Sequence, residues 1–411
     1  MANKKLAALP GATPSKRDSV PENIPFFPLM ATPSPSFSIR TPLTDRLAAV
    51  IATDGPMSFE VFMERCLYDP DHGYYAAPER MVGRQGDFHT SVSVGPVFGE
   101  LIAAWVAREW TDMGCPPELA LIEQGAHDGQ LMIDVLAALA VHHPYLDTVV
   151  RPIVIEPSAG RRAAQQQKLG ARVSWWSSLD EAADAPLPWA LFFANELLDA
   201  FPVARWRFDG RAWRQLAVAL DVDQALCWDE LPAPDFSLPG IRGPHEAVLP
   251  AGYVTETCPG LGPWVQSLGR SFTRGRALLF DYGREAADYF APHRSAGTLR
   301  GYRAHRRCDD PLAAPGETDL TADVNFTHLA EEAIHAGFVV RPAERQGTFL
   351  TRLATARLVS PPQPEAAWLR QFQTLIHPNQ LGHSFHAMVL EKNSLPEHPA
   401  MTCGDQTRQI R

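Results

Sequence analysis

The sequence predicts an α/β protein built on a doubly wound, mostly parallel β-sheet. Three observations carry this. Apolar runs of strand length recur along the chain, each followed by a helical pattern. Several of these runs stop on a polar residue: Glu123, Glu156, Asn195 and Asp281. One run sits in ALIEQGAHDGQLMIDVL, residues 120–136, where a turn holding Gly125 and Gly129 joins strand to helix. Strands that alternate with helices need crossover connections and therefore run parallel, with helices covering both faces. Such sheets bind ligands outside the carboxyl ends of their strands, where the four polar residues fall.

Taken in order, residues 1–40 are rich in Pro, Ser and Ala, and are expected to form a disordered tail. Lys4, Lys5, Lys16 and Arg17 give the tail a basic bias, but prolines at 10, 14, 21, 25, 28, 33 and 35 oppose the amphipathic helix of a transit peptide. A helical segment is expected over 41–110. Thr41-Pro42 reads as an N-cap with proline at the first helical position, and Ser58 as a second cap before Phe59, Phe62 and Met63. Its last helix begins at Pro96, with Phe98, Ile102 and Trp105 spaced for burial. Residues 111–203 hold the first strands: Ala120–Ile122, Ile153–Ile155 and Ala190–Ala194. ARWRFDGRAWRQLAVAL, 204–220, alternates around Asp209-Gly210 as a hairpin does and opens an inserted lobe, 204–275. Residues 276–391 complete the domain, with a strand over 276–283 and closing strands expected at Gly347–Thr355 and His386–Leu390. A second tail, 392–411, follows.

The 411 residues suffice for one large core and a second lobe, and 45% hydrophobic with 20% charged residues is ordinary for a globular protein. A net charge of -10 excludes a generic nucleic-acid binder. The basic run Arg294–Arg307 is followed by Asp309, Asp310, Glu317 and Asp319, and so reads as a solvated or internally paired surface. Cysteines at 66, 115, 227, 258, 308 and 403 form no C-x-x-C pair; they suggest idle thiols in a reducing compartment, with neither disulfide frame nor metal site. No apolar run approaches the roughly 20 residues that span a bilayer.

The glycine turn constrains the ligand. A dinucleotide fingerprint would need glycines at 127 and 130, where the chain has His127 and Gln130, and no P-loop is present. Both of those loops cradle phosphates, which Glu123 and Asp128 would repel. S-adenosyl-L-methionine carries an ammonium, a sulfonium and no phosphate, and Glu123 to Gly129 matches the E/D-x-G-x-x-x-G of methyltransferases. Glu156, after the next strand, is placed to accept from both ribose hydroxyls. Each feature alone has a plainer reading: many α/β proteins have such a turn with no ligand, and a strand-end glutamate is often merely solvated.

Further motifs resemble one family, the MidA-like protein arginine methyltransferases, over about residues 44–391. Gly86-Asp87-Phe88-His89-Thr90-Ser91 with Phe98-Gly99-Glu100 is similar to its GDF-x-TS…FGE, and Glu156-Pro157-Ser158 to its EPS. Asn195 to Pro202 resembles NEFFDALP. Asp281-Tyr282-Gly283, Gly297 to Tyr302, Asp319-Leu320-Thr321 with Val324-Asn325-Phe326, and Gln346 to Leu350 resemble DYG, GTLRAY, DLT-x-x-VDF and QGEFL. The family's GPGRGTL loop here has His127 for the central glycine and Asp128 for the arginine, and Leu197 and Leu198 replace two aromatics.

The resemblance implies a Rossmann-like class I methyltransferase. Cofactor contacts are expected from Gly86, Asp87, Phe88, Thr90, Ser91, Glu123, Gly125, Ala126, Gly129, Glu156, Pro157 and Asn195. An arginine acceptor is a cation approaching a sulfonium, so carboxylates should orient it and take up charge. Glu196 and Asp199 are the candidates, helped by Asn195; Asp199 has a competing role as a turn cap. His127 is not assigned a catalytic role. The implied partner is a protein substrate bearing an acceptor arginine, with no nucleic acid or membrane, and the protein is expected as a monomer or homodimer. A bacterial cytoplasmic location is expected, with the mitochondrial matrix as the alternative. A catalytically silent fold that binds a protein partner remains a second reading.

Overall fold

A computed structural model of the chain describes residues 39–76, 90–233, 236–241, 248–303 and 306–393. Gly86, Asp87 and Phe88, and nearly all of both expected tails, lie outside these residues. The N-terminal helices form where their caps predict. Thr41 caps α1 (Pro42–Asp54): its hydroxyl accepts the Thr44 N–H while the Thr44 hydroxyl accepts the Thr41 N–H. A short β1 (Met57–Ser58) leads into α2 (Phe59–Tyr68), whose first turn is closed by the Ser58 hydroxyl. Then α3 (Val97–Asp112) buries Phe98, Ile102 and Trp105.

The chain next runs through β2 (Leu119–Gln124), α4 (Gln130–His142), α5 (Pro144–Val149), β3 (Val150–Ile155), α6 (Ala159–Leu169), β4 (Ser174–Trp176) and β5 (Leu187–Asn195). A hairpin of β6 (Ala204–Phe208) and β7 (Trp213–Leu220) follows, then β8 (Leu226–Pro232), β9 (Tyr253–Thr257), α7 (Leu261–Ser271) and β10 (Phe272–Arg284). The last part holds α8 (Ala286–Tyr289), β11 (Arg300–Arg303), β12 (Arg306–Cys308), β13 (Asp319–Thr321), β14 (Val324–Asn325) and α9 (Phe326–His335). It ends with β15 (Val339–Val340), β16 (Glu344–Arg345), α10 (Gln346–Val359), α11 (Ala366–Ile376), α12 (Leu381–Ser384) and β17 (Phe385–Asn393).

The main sheet has the order β15-β17-β10-β5-β2-β3-β4. Strands β10, β5, β2, β3 and β4 are parallel, and β17 closes the edge antiparallel to β10. One face is covered by a core that includes Phe98 and Trp105 of α3, Leu131 of α4, Leu350 of α10 and Phe372 of α11. The other packs Val265 and Leu268 of α7 and Leu329 of α9 against Phe192 and Leu279. Helices on both faces make the sheet doubly wound, as expected. Strand β2 lies between β3 and β5, so the connections reverse direction there and open a crevice at the carboxyl ends of β2 and β5.

The segment expected as an inserted lobe divides. Its β6 and β7 form the anticipated hairpin, with the Asp209 carboxylate accepting the Arg211 and Ala212 N–H groups and Gly210 at φ 98°. These strands join β8, β9 and the N-terminal β1 in a second sheet. Helix α7, from the same segment, packs instead on the main sheet.

One expectation is corrected. Gly347–Thr355 is not a strand but lies inside α10. Buried Phe349, Leu350 and Ala354, with Leu353 partly buried, recur at helical spacing, and that outweighs the apolar content that suggested a strand. Cys66, Cys227, Cys258 and Cys308 are free thiols.

Candidate active site

The crevice is built around the turn after β2. Gly125 has φ 79° and Gly129 φ 81°, in the left-handed region that favours glycine. A Cβ on Gly125 would stand 3.2 Å from Leu197 Cδ1, and one on Gly129 2.8 Å from Leu169 Cδ1. The turn is therefore pressed between the loop after β5 and the end of α6. Ala126 is buried within it. His127, at φ 48°, adopts the same left-handed backbone without being glycine. Asp128 forms an ion pair with Lys168 at 2.6 Å. Burial opposes its ionisation, but hydrogen bonds from His127, Lys168 and the Gln130 N–H hold it well below the usual carboxylate range. Lys168 thus offsets the charge that was expected to repel a phosphate, and the uncompensated acid of the turn is Glu123.

Glu123 is 2% exposed, and its Oε2 has no hydrogen-bond partner. Burial, with the charges of Asp128 and Asp134 nearby, pushes its carboxyl up to about 8, although the Met132 N–H donates to it.

Glu156 follows β3 and is buried; Pro157 beside it is exposed. The Ser158 N–H donates to Glu156 Oε1 at 2.8 Å, and Gln165 Nε2 to Oε2 at 3.2 Å. Burial raises its pKa against these bonds and the charges of Arg161 and Arg162. Gln165 Nε2 also donates to the His127 carbonyl at 2.9 Å, while its Oε1 accepts from Trp175 Nε1. One buried glutamine therefore ties the glycine turn to the acid after the next strand. Each carboxylate oxygen of Glu156 retains a lone pair for a further donor.

The third group follows β5. Asn195 Nδ2 donates to Glu196 Oε1 at 2.8 Å, and the buried Asn195 Oδ1 has no donor. Glu196 has φ 53°, a sparsely populated conformation for a non-glycine residue and one that recurs at functional sites. Burial and the charge of Asp199 push its carboxyl up to about 8, against hydrogen bonds from Asn195 and the Ser91 N–H. Asp199 is 6% exposed; its Oδ2 accepts from the Tyr282 hydroxyl at 2.5 Å, and its Oδ1 has no partner. Burial raises it to about 6. The turn's backbone is held by Asp281, whose Oδ2 accepts the Leu198 and Asp199 N–H groups. Asp281 therefore positions the turn; burial and the charge of Asp199 put it well above the usual carboxylate range.

The N-terminal segment faces the same crevice. Thr90 Oγ1 accepts the Ser93 N–H, and Ser91 Oγ donates to Gln346 Oε1 of α10 at 3.2 Å. The Tyr68 ring is 42% exposed, yet its hydroxyl donates to the Ala200 carbonyl at 2.8 Å. The Tyr75 hydroxyl donates to Asp319 Oδ1 of β13 at 3.0 Å. Tyr68, Tyr75, Gln165 and Tyr282 were not singled out in the sequence for this site. The sequence marks Asp281 as a polar strand end and a motif residue, and Asp319 as a motif residue and one of the acids after the basic run, without assigning either to this site. Elsewhere Arg300 pairs with Asp323 at 2.7 Å and Arg307 with Asp309 at 3.5 Å, the internal pairing expected of that basic run.

Buried acceptors without donors, on Glu123, Asn195 and Asp199, suit a ligand rich in N–H groups, hydroxyls and positive charge. They do not suit a phosphate. S-adenosyl-L-methionine has that chemistry, and comparison with known proteins agrees. The Methyltransf_28 family of S-adenosyl-L-methionine-dependent methyltransferases matches residues 101–343. The mouse protein named protein arginine methyltransferase NDUFAF7, mitochondrial, is 30% identical over 404 residues, which cover 90% of this chain and 87% of that protein. Its human counterpart is 28% identical over 85% of this chain and 83% of its own length. A COG1565 superfamily member from Burkholderia thailandensis, solved with S-adenosyl-homocysteine bound, superposes with a TM-score of 0.74 at 27% identity, covering 90% of this chain and 98% of that one. The chain belongs to the MidA-like family of S-adenosyl-L-methionine-dependent methyltransferases.

Proposed function

We propose that the protein methylates an arginine side chain of a protein substrate at the crevice beyond β2 and β5. The observation that carries this reading is the pair Glu196 and Asp199: two carboxyls raised by burial, with no Lys or Arg ion pair to either among the described residues. The names of the curated relatives support it.

The cofactor supplies an electrophilic methyl group on a sulfonium. Glu123 Oε2 receives its ammonium end, and Glu156 its ribose hydroxyls. Gly125 and Gly129 let the backbone come close, Ala126 and Pro157 border the adenosine, and Thr90 and Ser91 close over the methionine part. Asn195 Oδ1, buried without a donor, would accept from the cofactor or the acceptor.

On the acceptor side, Glu196 and Asp199 offset the charge of the guanidinium and align its plane. As one guanidinium nitrogen forms its bond to the methyl carbon, the carbon–sulfur pair stays with sulfur and the N–H proton passes to a Glu196 oxygen. Burial raises Glu196 toward the range of a general base, and the positive charges of cofactor and guanidinium favour its ionised, proton-accepting form. Asp199, held by Tyr282, fixes orientation. The relatives' names favour mitochondria over the cytoplasmic expectation. No helix among the described residues is long and apolar enough to cross a membrane.

The test is radiolabelled methyl transfer to arginine-bearing substrates by the intact protein and by Glu196→Gln, with calorimetry of cofactor binding on both. The variant should bind the cofactor nearly unchanged and lose about a hundredfold or more in rate, the effect of a charged hydrogen bond in a water-poor site. Equal loss of affinity and rate would move Glu196 to the cofactor side. No transfer by the intact protein over a broad substrate panel would favour a catalytically silent binding module.

A further inference from the structure

We infer that Asp319 is the third carboxylate of the acceptor subsite, and that Tyr68, backed by Tyr75, forms its aromatic wall. The subsite is then shaped for a flat guanidinium and discriminates against the compact ammonium of lysine. This rests on the reading of Glu196 and Asp199 given above and extends it to three elements that the motif around β5 does not contain.

The geometry starts from the chain connections. The Asp199 carbonyl accepts the Ala322 N–H at 2.9 Å, so the loop after β5 is joined to the residue following β13. At the start of β13, Asp319 is 6% exposed and is aimed by the Tyr75 hydroxyl. The Tyr68 and Tyr75 rings lie 5.5 Å apart, centroid to centroid. Both tyrosine hydroxyls are raised by burial and, after that, by the charges of Asp199 and Asp319; the Tyr68 hydroxyl bonds the carbonyl of Ala200, next to Asp199, and the Tyr75 hydroxyl bonds Asp319 itself. Asp319 also acts on Glu196.

A group of acids alone would signify little. Here a second observation points to an occupant: Asp199 Oδ1 is buried and unpartnered beside this group. The contrast with Asp323 is informative, since that neighbouring carboxylate is matched by both Arg284 and Arg300. The protein thus supplies internal cations to one acid of the region and leaves Glu196 and Asp199 without any among the described residues. Tyr68 is 42% exposed and so has surface left for an occupant, whereas the Tyr75 ring already carries the Arg161 guanidinium at 5.3 Å. Carboxylates at the edge of a planar cation with aromatic rings on its face match a guanidinium, which stacks and bonds bidentately; an ammonium does neither as well.

The experiment measures binding of two short peptide amides, one centred on arginine and one on lysine, by calorimetry with saturating S-adenosyl-homocysteine. Asp319→Asn keeps the oxygen that accepts from Tyr75 and removes the charge. The arginine peptide should lose about tenfold or more in affinity, as when a charged hydrogen bond is lost. S-adenosyl-homocysteine affinity and melting temperature should stay within error. Tyr68→Leu, at a half-open position, should narrow the arginine-over-lysine preference and covers the case in which Asp319→Asn fails to fold. Unchanged arginine affinity in both variants would overturn the inference and leave the arginine reading standing. A parallel loss of S-adenosyl-homocysteine affinity in Asp319→Asn would also overturn it, by making Asp319 a support of the cofactor site. Equal affinity of the intact protein for the two peptides, or none for either, would sink the inference and the arginine reading together.

Discussion

Glu123→Gln isolates what a buried acid contributes to this site. In the unfolded chain Glu123 releases its proton near the ordinary 4.5, and in the fold near 8. Between those values the folded state binds more protons than the unfolded one, so stability falls as pH rises; the loss begins above about 4.5 and levels off above about 8. At about 1.4 kcal/mol per pH unit, the full cost approaches about 5 kcal/mol, of which about 3 kcal/mol accrues between about pH 5.5 and 8.5. Glutamine has the same shape and does not titrate. It places an amide N–H where Oε2 lacks a donor, at a cost of about 1–3 kcal/mol that does not vary with pH. The variant should therefore lose about 2–3 kcal/mol less than the intact protein across that pH range, whatever the offset between the two curves. Glu196 titrates in the same direction and keeps some slope in both proteins.

The assay is urea unfolding of cofactor-free protein at three pH values spanning the window. A companion measurement is S-adenosyl-homocysteine affinity. If its ammonium meets Glu123, binding must ionise the acid, so affinity should rise with pH in the intact protein and stay flat in the variant. Parallel stability curves for the two proteins would refute the reasoning, because Glu123 would then not be a carboxyl displaced by its burial.

Two further outcomes follow from the cofactor half of the site. Glu156→Ala should weaken S-adenosyl-L-methionine binding by about tenfold or more in calorimetry, as paired hydrogen bonds to a charged group are lost; unchanged affinity would remove Glu156 from the ribose site. Gly129→Ala forces a side chain into φ 81°, with its Cβ 2.8 Å from Leu169 Cδ1. It should destabilise the protein by about 1–3 kcal/mol in thermal unfolding and loosen S-adenosyl-homocysteine binding, unless α6 can withdraw.

The parts legible in the sequence are those whose signal is local. Strands ending on Glu123, Glu156, Asn195 and Asp281 give the sheet and the end at which ligand binds, because a strand's last residue announces itself by a change of polarity. Gln165 gives no such sign. It sits in AGRRAAQQQKL, a polar helix whose other residues are partly or fully exposed, and its bond to the His127 carbonyl spans 38 residues. The Tyr75–Asp319 contact spans 244. Motifs named Asp319 without locating it, since the location depends on β13 packing beside the loop after β5. The left-handed backbone of Glu196 is likewise set by tertiary contacts: its N–H is held by the Phe280 carbonyl of β10 and its carboxylate by Ser91.

The distribution of buried charge separates scaffold from site more sharply than any motif does. Glu109 is paired with Arg276, Glu256 with Arg205, and Asp323 with Arg284 and Arg300. Each pair joins separate elements, as structural ion pairs do, and removal of one member would strand the other. Glu123 and Asp199 are as deeply placed in the fold and Glu196 is half-buried, but none has such a partner among the described residues, and all three are pushed toward the neutral form. Asp281 is raised too, but it holds the Leu198 and Asp199 N–H groups and so has a structural role; acids without such a role add nothing to a fold selected for stability alone. They become favourable only when positive charge arrives, and the two sources in the proposed reaction are the cofactor, with its ammonium and sulfonium, and the guanidinium. Each cation that binds lowers the cost of ionising the acids beside it. Occupation by cofactor should therefore stiffen the turn around Gly125 and Gly129 before any acceptor enters.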